Sequence, residues 1–87
     1  MMKVMNIQLR FFASLREALG PQHALTLPAG ATVGDARAAL LAQGEPFASA
    51  LAPGRALRAA LNQTLCDDTA ALKDGDELAF FPPVTGG

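Results

Sequence analysis

The last six residues, Pro82 to Gly87, combine features that suit chemistry on a carboxyl group. Two prolines fix φ and favour an extended backbone, which reduces the entropy lost when a partner protein binds the segment. Gly86 and Gly87 have no Cβ, so a terminal carboxylate can pass along a narrow channel and be attacked without steric hindrance. Gly-Gly by itself is weak evidence, because frayed chain ends are often rich in glycine. With the prolines before it, the segment predicts a slender arm whose Gly87 carboxyl is activated by another enzyme.

Other groups that could carry chemistry are few. The chain has one histidine, His23, one cysteine, Cys66, and neither tyrosine nor tryptophan. Phosphate-loop, dinucleotide and zinc motifs are absent from the sequence. His23 and Cys66 fall in separate segments, so a Cys–His nucleophile is not predicted, and Cys66 is expected to be a half-buried small hydrophobe. We therefore do not expect a self-contained enzyme.

A cluster of acidic residues lies between positions 67 and 77. It holds five of the eight acidic side chains: Asp67, Asp68, Asp74, Asp76 and Glu77. Their spacing lacks the alternating oxygen ligands of a calcium loop. Solvated turns are the favoured interpretation, and electrostatic steering toward a basic partner is the alternative. No metal site is predicted here.

The overall composition fits one small domain that leaves some apolar surface for a partner. The chain has 87 residues, is 51% hydrophobic and carries a formal net charge of −1. Its seven lysines and arginines are scattered, which argues against nucleic-acid binding, since that needs clustered positive charge. No apolar run is long enough to span a bilayer, so we expect a cytoplasmic protein.

The elements that would position the tail follow from hydrophobic periodicity. Residues 3–12 alternate between apolar and polar side chains and predict a strand, which a short helix at 13–19 links to a second, antiparallel strand at 23–27. Thr32 can cap the next helix together with Asp35. That helix ends at Gln43-Gly44, and Val33, Ala36 and Leu40 share its core-facing side.

The second half of the chain predicts shorter elements. A brief helix is expected within 45–52, and a hairpin turns at Asn62-Gln63 between strands at 57–61 and 64–66. A turn at 74–76 precedes a closing strand at 77–81. The order of elements predicts an α+β roll with one main helix packed across a mixed sheet.

Two aromatic side chains are expected to point away from the core. Strand alternation places Phe12 on the face of Arg10, and Phe81 on the face of Glu77. Leu65 could join them if its strand lies beside the closing strand. An outward apolar patch usually marks a protein interface, although a local bulge could turn either ring back into the core.

The motifs in chain order resemble a known family. The end of the chain, FFPPVTGG, is similar to the terminal signature of the molybdopterin synthase small-subunit family, ubiquitin-like sulfur carriers of the MoaD/ThiS type. Asn62 to Leu65 (NQTL), Asp74 to Glu77 (DGDE) and the early FFA followed by RE also resemble this family. The resemblance implies a β-grasp fold, with residues 1–81 as the domain and 82–87 as a flexible tail ending in Gly-Gly.

The same resemblance implies a carrier function. Gly87 would be adenylated by a ubiquitin-activating-like (MoeB-like) adenylyltransferase that uses ATP, then thiocarboxylated, and would donate sulfur to a cyclic pterin precursor in the large (MoaE-like) synthase subunit. This chain would bind no cofactor and would be the non-catalytic subunit of a heterotetramer. The implied partner-binding residues form two groups, a docking surface and an arm: Phe12, Leu65 and Phe81, and Pro82, Pro83, Val84, Thr85 and Gly86.

Three alternatives stay open. A thiamine-pathway sulfur carrier shares the Gly-Gly end and the fold, but normally lacks the Phe-Phe-Pro-Pro arm. A ubiquitin-like modifier would conjugate Gly87 to protein lysines. An interaction module would use the folded domain alone, with an inert tail.

Overall fold

The computed structural model describes residues 3–83. Eight elements follow one another along this part of the chain: β1 Val4–Phe11, α1 Ser14–Leu19, β2 Gln22–Pro28, α2 Val33–Ala42, α3 Phe47–Ala50, β3 Arg58–Leu61, β4 Thr64–Cys66 and β5 Glu77–Phe81. Each predicted element is present, and its ends differ from the prediction by two residues at most.

The five strands of the described part form one mixed sheet in the order β2-β1-β5-β3-β4. The first hairpin, β1 with β2, is antiparallel as predicted. Strands β1 and β5 run parallel at the centre of the sheet, and β3 is antiparallel to both β5 and β4. The predicted roll with a mixed sheet is confirmed. Because β1 and β5 run in the same direction, their carboxyl ends meet at one edge of the sheet.

One face of the sheet packs on the helices and forms the core. The alternating residues of β1 that the sequence assigns to the core, Met5, Ile7, Leu9 and Phe11, are all buried. Leu78 and Phe80 of β5 join them, and so do Val33, Ala36 and Leu40, the predicted inner side of α2. The opposite sheet face, here called the outer face, carries no helix within residues 3–83.

A capping box fixes the start of α2, and two residues with positive φ form the turn between β3 and β4. The predicted capping box is present, because the Thr32 hydroxyl accepts from Asp35 N–H and the Asp35 carboxylate accepts from Thr32 N–H. At the β3–β4 turn, Asn62 and Gln63 both have positive φ, 49° and 71°, as a two-residue type I′ hairpin requires. The Asn62 amide also ties this turn to Asp76 and to Glu77 N–H.

None of the helices in residues 3–83 has the length and apolar character needed to cross a membrane.

Candidate functional site

The parallel pairing of β1 with β5 brings the two outward aromatics together. Phe11 pairs with Phe80 in the register, and Phe12 N–H donates to the Phe80 carbonyl at 3.3 Å. Phe12 and Phe81 are the next residues along the two chains, so they lie side by side at the same edge of the sheet. Phe12 is 43% exposed and Phe81 is half-buried. The expected outward position of Phe12 is confirmed, and Phe81 contributes part of its ring to the same surface.

Leu65 also lies on the outer face, although its strand does not have the neighbour on which this expectation depended. Its strand, β4, does not lie beside β5, because β3 separates them. Ala60 of β3 pairs with Leu65 on one side and with Ala79 of β5 on the other, so these three side chains form a row on the outer face. Leu65 is 59% exposed.

Together these side chains define an apolar patch. Its members are Phe12, Ala60, Leu65, Ala79 and Phe81. The two alanines are short, so the sheet between the larger side chains forms the floor of a shallow groove. Such a surface, apolar and open on a face that none of the three described helices covers, is typical of a protein-docking site.

An ion pair borders the groove. The Arg10 guanidinium lies 3.4 Å from the Glu77 carboxylate, and its Cζ lies 5.9 Å from the centroid of the Phe12 ring. Both charged groups are partly exposed, so the pair contributes little to folding stability. The Arg10 guanidinium also lies over the face of the Phe12 ring, within the range of a cation–π contact.

The base of the tail is anchored in the centre of the sheet. Strand β5 pairs with β1 up to Phe80 and with β3 up to Phe81, and Pro82 and Pro83 follow directly and are half-buried. The remaining predicted tail residues, Val84, Thr85, Gly86 and Gly87, lie outside the described residues. The apolar patch therefore adjoins the point where the tail leaves the sheet.

Cys66 and His23 do not form a reactive pair. Cys66 lies on the edge strand β4 and His23 on the opposite edge strand β2, with three strands between them. Burial raises the pKa of the Cys66 thiol, and the negative charges of Asp67 and Asp68 raise it further. The thiol is therefore less ionised at neutral pH than an ordinary cysteine, as fits a side chain packed against the core.

The acidic cluster stabilises turns. Asp74 accepts from Asn6 N–H at 2.7 Å, and Asp76 accepts from Lys73 N–H at 2.8 Å. Asp67 accepts from the hydroxyl and N–H of Thr69, and these bonds lower the pKa of its carboxyl. No group of three or more metal-binding side chains occurs among residues 3–83. The solvated-turn interpretation agrees with these contacts.

The fold defines a ubiquitin-like β-grasp protein. A ubiquitin from Caldiarchaeum subterraneum superposes with a TM-score of 0.61 over 98% of this chain and 100% of its own, at 21% identity, which is a likeness of fold alone. A solved protein–protein complex of subunits 1 and 2 of molybdopterin-converting factor from Helicobacter pylori contains a similar chain. That chain is 31% identical, with a TM-score of 0.62 over 95% of this chain and 100% of its own.

The family follows from the sequence comparison. The ThiS family matches residues 9–87. The molybdopterin synthase sulfur carrier subunit of Escherichia coli is 46% identical over 81 residues, which cover 93% of this chain and 99% of that protein. The chain belongs to the ThiS family.

Proposed function

We propose that this chain is the sulfur carrier subunit of a molybdopterin synthase, and that the carboxyl group of Gly87 carries the sulfur. The observation that supports this most strongly is the position of the apolar patch, directly at the base of a Pro-Pro…Gly-Gly tail. A docking surface placed there lets a partner hold the domain and receive the tail at the same time. The 46% identity to a sulfur carrier of E. coli over nearly its whole length supports the same assignment.

The first step of the cycle is activation of the carboxylate, which is a poor electrophile until one oxygen becomes part of a leaving group. An adenylating partner supplies ATP, and a Gly87 carboxylate oxygen attacks the α-phosphorus and releases pyrophosphate. A sulfur nucleophile at the oxidation level of sulfide then adds to the acyl carbon, and AMP leaves. The product is a thiocarboxylate on Gly87.

The second step takes place in a large synthase subunit that docks on the apolar patch. Six extended residues from Pro82 to Gly87 span at most about 20 Å. The receiving active site must therefore lie within that distance of Phe81. This geometry couples docking to delivery, because the partner that covers Phe12 and Phe81 also surrounds the base of the tail.

In that site the thiocarboxylate sulfur attacks a carbon of the cyclic pterin precursor that carries an oxygen substituent, and the carbon–oxygen bond breaks as that oxygen leaves. Water then cleaves the acyl–sulfur bond, which restores the Gly87 carboxylate and leaves the sulfur on the pterin. Two such transfers build the dithiolene. The sulfur is a soft nucleophile that is ionised at neutral pH, so no base on this chain is required. We propose a cytoplasmic heterotetramer of two small and two large subunits as the assembly in which this occurs.

Intact-mass spectrometry tests this function. The full chain is incubated with ATP, the adenylating enzyme and a sulfide donor, and the C-terminal peptide is then sequenced. Exchange of oxygen for sulfur at Gly87 is expected, and a variant lacking Gly87 should show none. Lysine-linked adducts would instead indicate a protein modifier, and an unchanged mass would leave only an interaction module.

Co-purification decides between the two sulfur-carrier pathways. Stable binding to a large molybdopterin synthase subunit is expected. Thiocarboxylate formation without any such binding would favour the thiamine pathway.

A further inference from the structure

The outer face of the sheet carries few charges. Strand pairing and alternation assign to this face every second residue of each strand, and among residues 3–83 the ionisable side chains in that set are Arg10, Arg58 and Glu77. Arg10 and Glu77 form the ion pair described above. Among the ionisable strand residues that the structure describes on this face, Arg58 is therefore the one without an ion pair. Asp67 and Asp68, which follow β4, line a cavity together with Arg58 but form no salt bridge with it.

Arg58 occupies a distinctive position. Arg58 pairs directly with Phe81 across β3 and β5, so the two side chains stand next to each other on the outer face. The residue is exposed and makes no side-chain hydrogen bond or ion pair with any residue from 3 to 83. Arg58 thus places a cation that forms no ion pair with any residue from 3 to 83 beside Phe81, at the base of the tail.

A protein that covers Phe81 must approach this cation. Removing a guanidinium from water without a compensating partner carries a large desolvation penalty, which would offset much of the favourable free energy of burying the aromatic ring. A carboxylate on the partner removes that penalty, and its planar shape matches the guanidinium in a two-pronged hydrogen-bonded pair.

We propose that Arg58 binds a carboxylate of the protein that docks on the apolar patch, and that this pair fixes the orientation in which the partner covers the base of the tail. The inference rests on the proposed function, because it concerns the same docking event. The apolar patch has no directional groups, so a two-pronged contact beside Phe81 sets the rotation of the partner about the patch. The net charge of −1 gives the whole chain no general attraction for an acidic surface, so the recognition is local.

Binding kinetics of the full chain with a large molybdopterin synthase subunit test this proposal. Arg58→Glu is expected to weaken binding by about tenfold in low salt and Arg58→Gln by a smaller factor, and both differences should shrink in high salt. Lys3→Glu is the matched control, since it makes the same charge change on an exposed residue at the opposite end of β1. It should bind like the wild type. Thermal unfolding of all variants should be unchanged, because Arg58 has no side-chain partner in the described fold.

The outcomes separate this inference from the proposed function. If the wild type binds and Arg58→Glu binds equally well at every salt concentration, the carboxylate contact is refuted while the carrier function stands. Equal weakening by Lys3→Glu would also refute it, because the effect would then be general charge repulsion. If the wild type itself fails to bind the large subunit, both proposals fail. A dimer of the free chain that Arg58→Glu dissociates would assign the guanidinium to a second copy of the chain.

Discussion

Leucine-to-alanine changes on the two faces of the sheet should separate folding from binding. Leu65 and Leu78 lie on strands of the same sheet, but Leu65 is 59% exposed on the outer face and Leu78 is fully buried in the core. The chemical change is identical in Leu65→Ala and Leu78→Ala. Any difference between the two variants therefore reports the environment of the side chain.

The expected magnitudes follow from burial. Removing Leu78 loses the burial of the whole side chain and leaves a cavity, which costs about 3–5 kcal/mol of folding stability. That is a large part of the ~5–10 kcal/mol typical of a domain this size. Complete burial of leucine is worth about 1.5–3 kcal/mol, so with 59% of Leu65 still exposed, about 1–2 kcal/mol is available to a partner. About two fifths of the Leu65 side chain is buried in the fold, so Leu65→Ala should lower the free energy of unfolding by about 1 kcal/mol at most.

Two assays measure these quantities. Urea unfolding gives the folding free energies, and calorimetric titration with a large synthase subunit gives the binding free energies. Leu65→Ala is expected to bind about 5- to 30-fold more weakly at nearly unchanged stability, and Leu78→Ala to unfold at much lower urea. If Leu65→Ala binds like the wild type, the apolar patch is not the docking surface. If Leu65→Ala is instead as unstable as Leu78→Ala, the outer face is part of a core.

Three further predictions concern the fold that supports the patch. Thr32→Ala should remove the hydroxyl that accepts from Asp35 N–H and lower the unfolding free energy by about 1 kcal/mol in urea titrations; no change would show that the capping box is dispensable. Gln63→Gly should stabilise the hairpin by about 0.5–1 kcal/mol, because φ is 71° there and glycine at the second position of a type I′ turn adopts it without strain; a loss of stability would contradict this turn geometry. Hydrogen bonds from Ser49 lower the pKa of Glu45 below its ordinary 4.5, so this carboxylate stabilises the fold above that pH and its contribution is lost as the pH falls through the lower folded value. In Ser49→Ala, which removes the hydroxyl donor and keeps the backbone N–H, carbon-detected NMR titration should show the Glu45 pKa shifted part of the way back toward 4.5; an unaltered pKa would exclude the Ser49 hydroxyl as a cause.

Hydrophobic period and turn chemistry were enough to predict most of the fold. The alternation Met5, Ile7, Leu9, Phe11 identified both the first strand and its buried face, and the Asn62-Gln63 pair located the hairpin. The outward position of Phe12 followed from the same period of two. These features are local, so a single sequence records them.

Long-range contacts could not be predicted in the same way. The separation of β4 from β5 by β3 depends on the sheet order, which no local pattern encodes, and it changes how Leu65 reaches the patch. The helical periodicity of α2 does not indicate what the Arg37 side chain contacts. In the fold the Arg37 guanidinium donates hydrogen bonds to the backbone carbonyls of Leu51 and Ala52, at 2.8 and 2.6 Å. These two carbonyls directly follow α3, and Arg37 gives each of them a hydrogen-bond donor. The cation at Arg58 also became significant only through its pairing with Phe81.

A single-turnover experiment tests the central claim most directly. The chain is prepared by semisynthesis with a carboxylate, a thiocarboxylate or an amide at Gly87, and each form is mixed with a large synthase subunit and the cyclic pterin precursor, without ATP. The proposed function predicts dithiolene formation from the thiocarboxylate form alone, with that chain returned as the carboxylate. Dithiolene formation from the amidated chain would show that the sulfur does not travel on Gly87.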